Sequence, residues 1–133
     1  MIYNIAEKIR YEKIGSDQYK GIKNNINKFY QKKISESNVH SQNFIADAFE
    51  AYLRNKVMNF SVPDNKKDDF KRWNEIFDNK VAKKIMSLIK SLNDQQEYGK
   101  KINSIIKKKT YLYLDYYLVL VFIWVAYLGL QIP

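Results

Sequence analysis

Residues 43–57 read NFIADAFEAYLRNKV, and this stretch decides the fold. Phe44, Ile45, Ala48, Phe49, Tyr52, Leu53 and Val57 recur at three- and four-residue steps, which puts them on one face of a helix. The face is broad, and Asp47, Glu50, Arg54 and Lys56 fall elsewhere on the cylinder. Ser41, just upstream, is an N-cap candidate. Glu50 and Arg54 stand four residues apart, a helical pair worth only a few tenths of a kcal/mol.

The same spacing continues on both sides. Ser61-Val62-Pro63-Asp64-Asn65 is a loop, because Pro63 cannot continue a helix and Asp64 or Asn65 can cap a new one. Phe70, Trp73, Ile76, Phe77 and Val81 then form a stripe, which Ala82, Ile85, Met86, Leu88, Ile89 and Leu92 extend. Polar Asn93 to Glu97 ends or loosens that helix, and Ile102, Ile105 and Ile106 resume the spacing. Upstream, Ile2, Ile5, Ala6 and Ile9 predict a short amphipathic helix, with a break and capping residues at Gly15-Ser16-Asp17. Ile22, Ile26, Phe29 and Tyr30 predict a second helix, and Ser35 to Asn38 a polar connector. Phe44, Phe49, Tyr52, Phe70, Trp73 and Phe77 are the expected core or interaction face, since buried area is what such rings mainly contribute.

With 133 residues the chain holds one domain, and four Gly and two Pro leave little material for many tight turns. The expected fold class is all-α. Residues 1–99 would form a small soluble domain of four to five helices, followed by a hydrophobic, transmembrane C-terminal helix.

That last expectation comes from a change of composition. From Thr110 onward the only charged side chain is Asp115, so the positive balance of +9 belongs to the part before it. Tyr116 to Ile132 reads YYLVLVFIWVAYLGLQI, without a charge, and covers about 25 Å as a helix. A bilayer core is about 30 Å thick and needs ~20 residues, which Tyr111 to Leu114 would complete, leaving Asp115 near the headgroups. Tyr111, Tyr113, Tyr116 and Tyr117 cluster at one end, as interfacial rings do, whereas Trp124 sits mid-run.

Directly before lies KKINSIIKKK, residues 100–109, with Lys100, Lys101, Lys107, Lys108 and Lys109 and no acid. Such lysines hold their flank on the cytoplasmic side and gain about 1 kcal/mol each near an anionic leaflet. Residues 100–109 are therefore expected to touch the membrane surface and residues 110–133 to anchor the chain. Tyr116, Leu118, Val121, Phe122, Trp124 and Leu128 would be embedded, with the N-terminus cytoplasmic. The alternative is a soluble cytoplasmic protein that buries this segment as a C-terminal helix or strand. Lys8, Arg10 and Glu12 interrupt the early apolar positions, so no signal peptide is expected.

Chemistry is limited by what is missing. The absence of cysteine excludes disulfides, thiolate zinc sites and thiol nucleophiles, and a single histidine, His40, excludes any site built from two. No G-x-S-x-G, Walker loop or G-x-G-x-x-G occurs. Asp68 and Asp69 point about 100° apart on a helix and suit its N-terminal dipole better than acid–base work. No catalytic residue, metal ligand or cofactor is expected. Lysines and a 15% aromatic content could bind single-stranded nucleic acid. Arg10, Arg54 and Arg72 are the only arginines, however, and the aromatics fall on core stripes, so nucleic acid is disfavoured.

Residues 43–57 resemble a helix of zincin-like metallopeptidase domains carried in multidomain proteins of phages and conjugative elements. There the pattern is similar to E-x-F-A-x-A-F-E-A-Y-x-x-x-K, matched here by Ala46, Ala48, Phe49, Glu50, Ala51, Tyr52 and Lys56. DDFKRWNEIFDNKV, from Asp68 to Val81, is similar to that family's closing helix. The resemblance implies a zinc ligand at position 43, where this chain has Asn43, a poor ligand. The H-E-x-x-H helix is absent, so the resemblance implies a catalytically dead or split metallopeptidase fragment. The leading expectation is a non-enzymatic, membrane-anchored helical module that meets an anionic membrane surface and a protein partner. The metallopeptidase fragment and a basic nucleic-acid-binding protein are the alternatives; partner identity and oligomeric state are not legible.

Overall fold

A computed structural model describes the backbone of residues 1–38, 40–41 and 44–131, and their side chains except for 108–117, 119 and 130–131. It is all-α, with no strand among the described residues. The helices are α1 (Ile2–Gln18), α2 (Lys20–Ser35), α3 (Phe44–Met58), α4 (Lys67–Lys80), α5 (Ala82–Ile89) and α6 (Gln95–Gln131), with a 3-10 turn at Asp64–Lys66 before α4. Helix α3 is central. The α1–α2 hairpin packs along one side of it and α4–α5 along the other, while the first part of α6 closes against α1 and α5.

Helix α3 has twelve buried residues out of fifteen, Glu50 and Arg54 among them. A helix enclosed on nearly every side is a core helix rather than an amphipathic one. The alanines make this possible: Ala46, Ala48 and Ala51 are buried and let neighbouring helices approach. The expectation that Glu50 and Arg54 lie off the packed surface is therefore corrected. Asn59 ends the helix with a φ of 59°, a left-handed conformation that asparagine tolerates. Its N–H donates to the Asn55 carbonyl at 3.0 Å.

Two expected boundaries move. The first break falls at Tyr19 (φ −134°, ψ 106°), not at Gly15-Ser16-Asp17. Helix α1 runs on through Gly15, since one glycine costs a helix only about 1 kcal/mol, and Lys13 reaches Asp17 across it at 2.7 Å. The stripe from Phe70 to Leu92 is two helices, not one. Val81, 3% exposed, leaves helical geometry (φ −128°, ψ 2°) while its N–H donates to the Phe77 carbonyl at 2.8 Å. The bend lets Phe70 and Phe77 pack on α3 while Ile85 and Leu88 enter the core from α5. Ring pairs mark this seam: Phe44 stacks on Phe70 at 5.0 Å, and Phe49, Tyr52 and Trp73 all meet Phe77 at 5.3–5.9 Å.

Residues 90–94 separate α5 from α6, and Asp94 starts the new helix by accepting the Glu97 N–H at 3.1 Å. Helix α6 has 37 residues, a length of about 55 Å, and runs without a break through positions 99 and 110, where the sequence suggests boundaries. Its first part is core: Tyr98, Ile102 and Ile105 are buried, and the Tyr98 hydroxyl donates to the Ala6 carbonyl at 2.6 Å. Gly99 makes room there, since a Cβ would lie 3.1 Å from the Tyr3 hydroxyl.

Burial pushes the Tyr30 and Tyr98 phenols well above their ordinary value of 10.0. Below about pH 10 both folded and unfolded chains keep these phenols neutral, and stability does not change on their account. Above it the unfolded chain ionises and the folded one does not, so each phenol removes about 1.4 kcal/mol per pH unit. Alkaline unfolding should therefore begin above about pH 10, with the last part of the tyrosinate absorbance, that of the buried phenols, appearing only as helicity is lost. Full tyrosinate absorbance in a still-helical chain would contradict this.

Candidate functional site

Two features stand apart from ordinary core. The first is an ion network where α1, α2 and α3 meet. The Arg54 guanidinium, 4% exposed, donates from Nε to Glu50 Oε1 at 3.1 Å and from Nη1 to Glu12 Oε2 at 2.7 Å. Glu50, 5% exposed, accepts from Lys33 Nζ at 2.9 Å on its other oxygen. Lys8 Nζ lies 3.9 Å from Glu12, and the Tyr30 ring sits under the guanidinium at 5.1 Å. Both carboxylates are thus paired, and the buried cation has a carboxylate on two sides and a π-face on a third. Arginine does not release its proton, so this network ties three helices together and carries no proton relay.

The network floors an open cleft of about 230 Å³ between α1 and α2, with Ile26, Phe29 and Tyr30 among its walls. Phe29 is 68% exposed at the lip. A local reading of the sequence missed this cleft, because Glu12 and Lys33 come from helices distant in the chain. The available signal was a cation–anion pair inside a helix dense in Ala, Phe and other apolar residues.

The second feature is the distal part of α6. Ile106 is the last of the described side chains to pack on the core, and Lys107 is exposed. Every side chain described beyond that point is exposed, including Leu118, Val121, Phe122, Trp124 and Leu128, with Phe122 at 72%. Tyr116 lies outside the described side chains. Exposure at consecutive positions covers all sides of the helix, so this part projects from the body with apolar residues all round. Among the described residues no helix is long and apolar enough to cross a membrane, so the expected transmembrane helix is not shown by them.

The lysines expected to form a collar separate into groups. Lys101 is folded back: it donates to the Ser87 carbonyl at 3.1 Å and to the Ser91 hydroxyl, tying α6 to the end of α5. Lys100 lies 3.7 Å from Glu97 and about 24 Å along the helix from Tyr116. Lys107 lies about 13 Å from Tyr116 on the same scale and is exposed, while the Lys108 and Lys109 side chains lie outside the described set. In the fold Lys100 thus makes a local ion pair and Lys101 an interhelical tether.

The remaining expected positions are simply placed. Phe44, Phe49, Tyr52, Phe70 and Phe77 are buried and Trp73 is half-buried, so these rings line the core rather than a free face. Tyr52 donates to Asp78 at 2.7 Å, and burial followed by that bond raises its phenol. His40 is exposed. Asp68 and Asp69 fall in the first turn of α4. Of the residues matching the zincin-like pattern, Ala46, Ala48, Phe49, Glu50, Ala51 and Tyr52 are core, and Asn43 lies outside the described residues. No group of three or more His, Cys, Asp or Glu side chains is placed to hold a metal ion among the described residues.

The fold and these sites define a small helical bundle whose central helix is locked by a buried ion network and whose last helix projects an apolar end. The model of the cobalamin biosynthesis protein CobT family matches residues 1–113, and the chain belongs to that family. The match covers the packed body and stops just before the uncharged run. No curated protein and no solved structure matches the chain.

Proposed function

We propose that this chain serves cobalamin biosynthesis as a non-enzymatic helical interaction module, held on a membrane by the end of α6 with its N-terminus cytoplasmic. The carrying observation is the projecting, apolar end of α6, whose described side chains from Leu118 to Gly129 are all exposed. An apolar helix without neighbours is stable in hydrocarbon and unfavourable in water, where each large side chain forgoes about 1.5–3 kcal/mol of burial. Lys107, Lys108 and Lys109 at its base suit an anionic cytoplasmic leaflet. Membership of the cobalamin biosynthesis family supports the process, and the paired, proton-holding network supports a scaffold rather than a reaction centre.

Complementation tests this reading. Host cells lacking the chain should make less cobalamin. The full chain should restore it, whereas residues 1–109 alone should yield a soluble, helical product that restores it poorly. Unchanged cobalamin in the deletion strain would contradict the process. Full restoration by the shortened chain would contradict the need for an anchor.

A further inference from the structure

Helix α2 carries five of the chain's cations, Lys20, Lys23, Lys28, Lys32 and Lys33, and no acid. Only Lys33 makes an ion pair among the described residues. Between these lysines runs an apolar strip, with Ile22 40% and Phe29 68% exposed and Ile26 half-buried, and the strip leads into the cleft above the Arg54 network. Ile26 still packs on the core, whereas Ile22 and Phe29 extend the same stripe outward beyond what that packing covers. Single exposed apolar residues are ordinary, but three at helical spacing beside a cleft form a continuous surface.

We propose that this strip and cleft are the docking site for an acidic amphipathic segment of a partner protein, with one bulky apolar side chain seated beside Phe29. This rests on the interaction-module reading above and names its surface. Three observations choose the occupant. The cleft, at about 230 Å³, is below the 300–1,000 Å³ usual for small-molecule and cofactor sites and suits a single side chain. The unpaired lysines call for carboxylates along the segment, and a second copy of this chain would bring lysines against lysines. The arginine lining the cleft, Arg54, is already held by Glu12 and Glu50, so no guanidinium fork is free there among the described residues to take a phosphate, which counts against nucleic acid.

The test is selection from a displayed library of random peptides on the membrane-reconstituted full chain, followed by fluorescence anisotropy with the enriched peptides. Enriched sequences should be net acidic and carry Leu, Phe or Trp. Affinity should fall at least tenfold with Phe29→Ser and with the pair Lys23→Glu and Lys28→Glu, all at exposed positions that leave the fold intact. Enrichment without an acidic bias, or affinity indifferent to Phe29→Ser, would overturn the proposal. So would stronger binding of a short single-stranded oligonucleotide, or of anionic phosphatidylserine vesicles, at the same strip. Membrane retention is read on the same preparations. Lost peptide binding by a membrane-retained chain rejects the docking surface alone, whereas lost retention with peptide binding intact rejects the anchor alone.

Discussion

Arg54→Ala should destabilise the fold by about 3–5 kcal/mol, a large part of the 5–15 kcal/mol by which a domain is held. The substitution leaves Glu50, 5% exposed, and Glu12, 13% exposed, facing each other with the intervening cation gone. Lys33 and Lys8 remain at the rim but approach only the outer oxygens, and Lys33 is half in water. The Tyr30 ring also loses the cation beneath which it lies. Arg54→Lys should recover little, because one ammonium cannot replace a fork that donates from Nε to one carboxylate and from Nη1 to another. Joint replacement of Arg54 by Met and Glu50 by Leu should recover most of the loss, since it removes the buried charge together with its partner. Urea unfolding of these variants measures the effect, and a loss under about 1 kcal/mol for Arg54→Ala would mean that the pair behaves as a surface bridge.

Phe70→Ala should cost about 3–5 kcal/mol. Phe70 is fully buried, stacks on Phe44 at 5.0 Å, and with Phe77 holds α4 against α3. Its removal leaves a void between two rigid helices that cannot close without moving the 3-10 turn at Asp64–Lys66. Trp73→Ala is the comparison on the same helix: half-buried, it should lose clearly less. Thermal unfolding followed by circular dichroism ranks the two, and an equal loss would mean that the α3–α4 seam is not centred on Phe70.

Much of the fold was legible because α-helical periodicity is local. The apolar steps of residues 44–57 identify α3, and Pro63 correctly marks the turn before α4. What escaped depends on partners distant in sequence. Glu50 and Arg54 read as a weak surface pair because their burial is set by Glu12, 42 positions before Arg54, and Lys33, 17 before Glu50. The break at Val81 has neither Gly nor Pro to announce it and comes from packing on two sides. Gly15 announced a break, yet one glycine costs a helix only about 1 kcal/mol and α1 runs through it to Gln18. In α6 the change from lysines to apolar residues looked like a boundary, yet lysine is a good helix former and the backbone continues through it. Lys101 looked like part of a surface collar because its partners, Ser87 and Ser91, belong to another helix.

The most direct test of the account is alkaline carbonate extraction of membranes from cells that make the full chain. Carbonate strips proteins held by charge and leaves those held in hydrocarbon. The projecting end of α6 predicts that the chain stays in the membrane pellet and that residues 1–109 alone are released. Release of the full chain into the supernatant would contradict the anchor, and with it the membrane-held module proposed for this member of the CobT family.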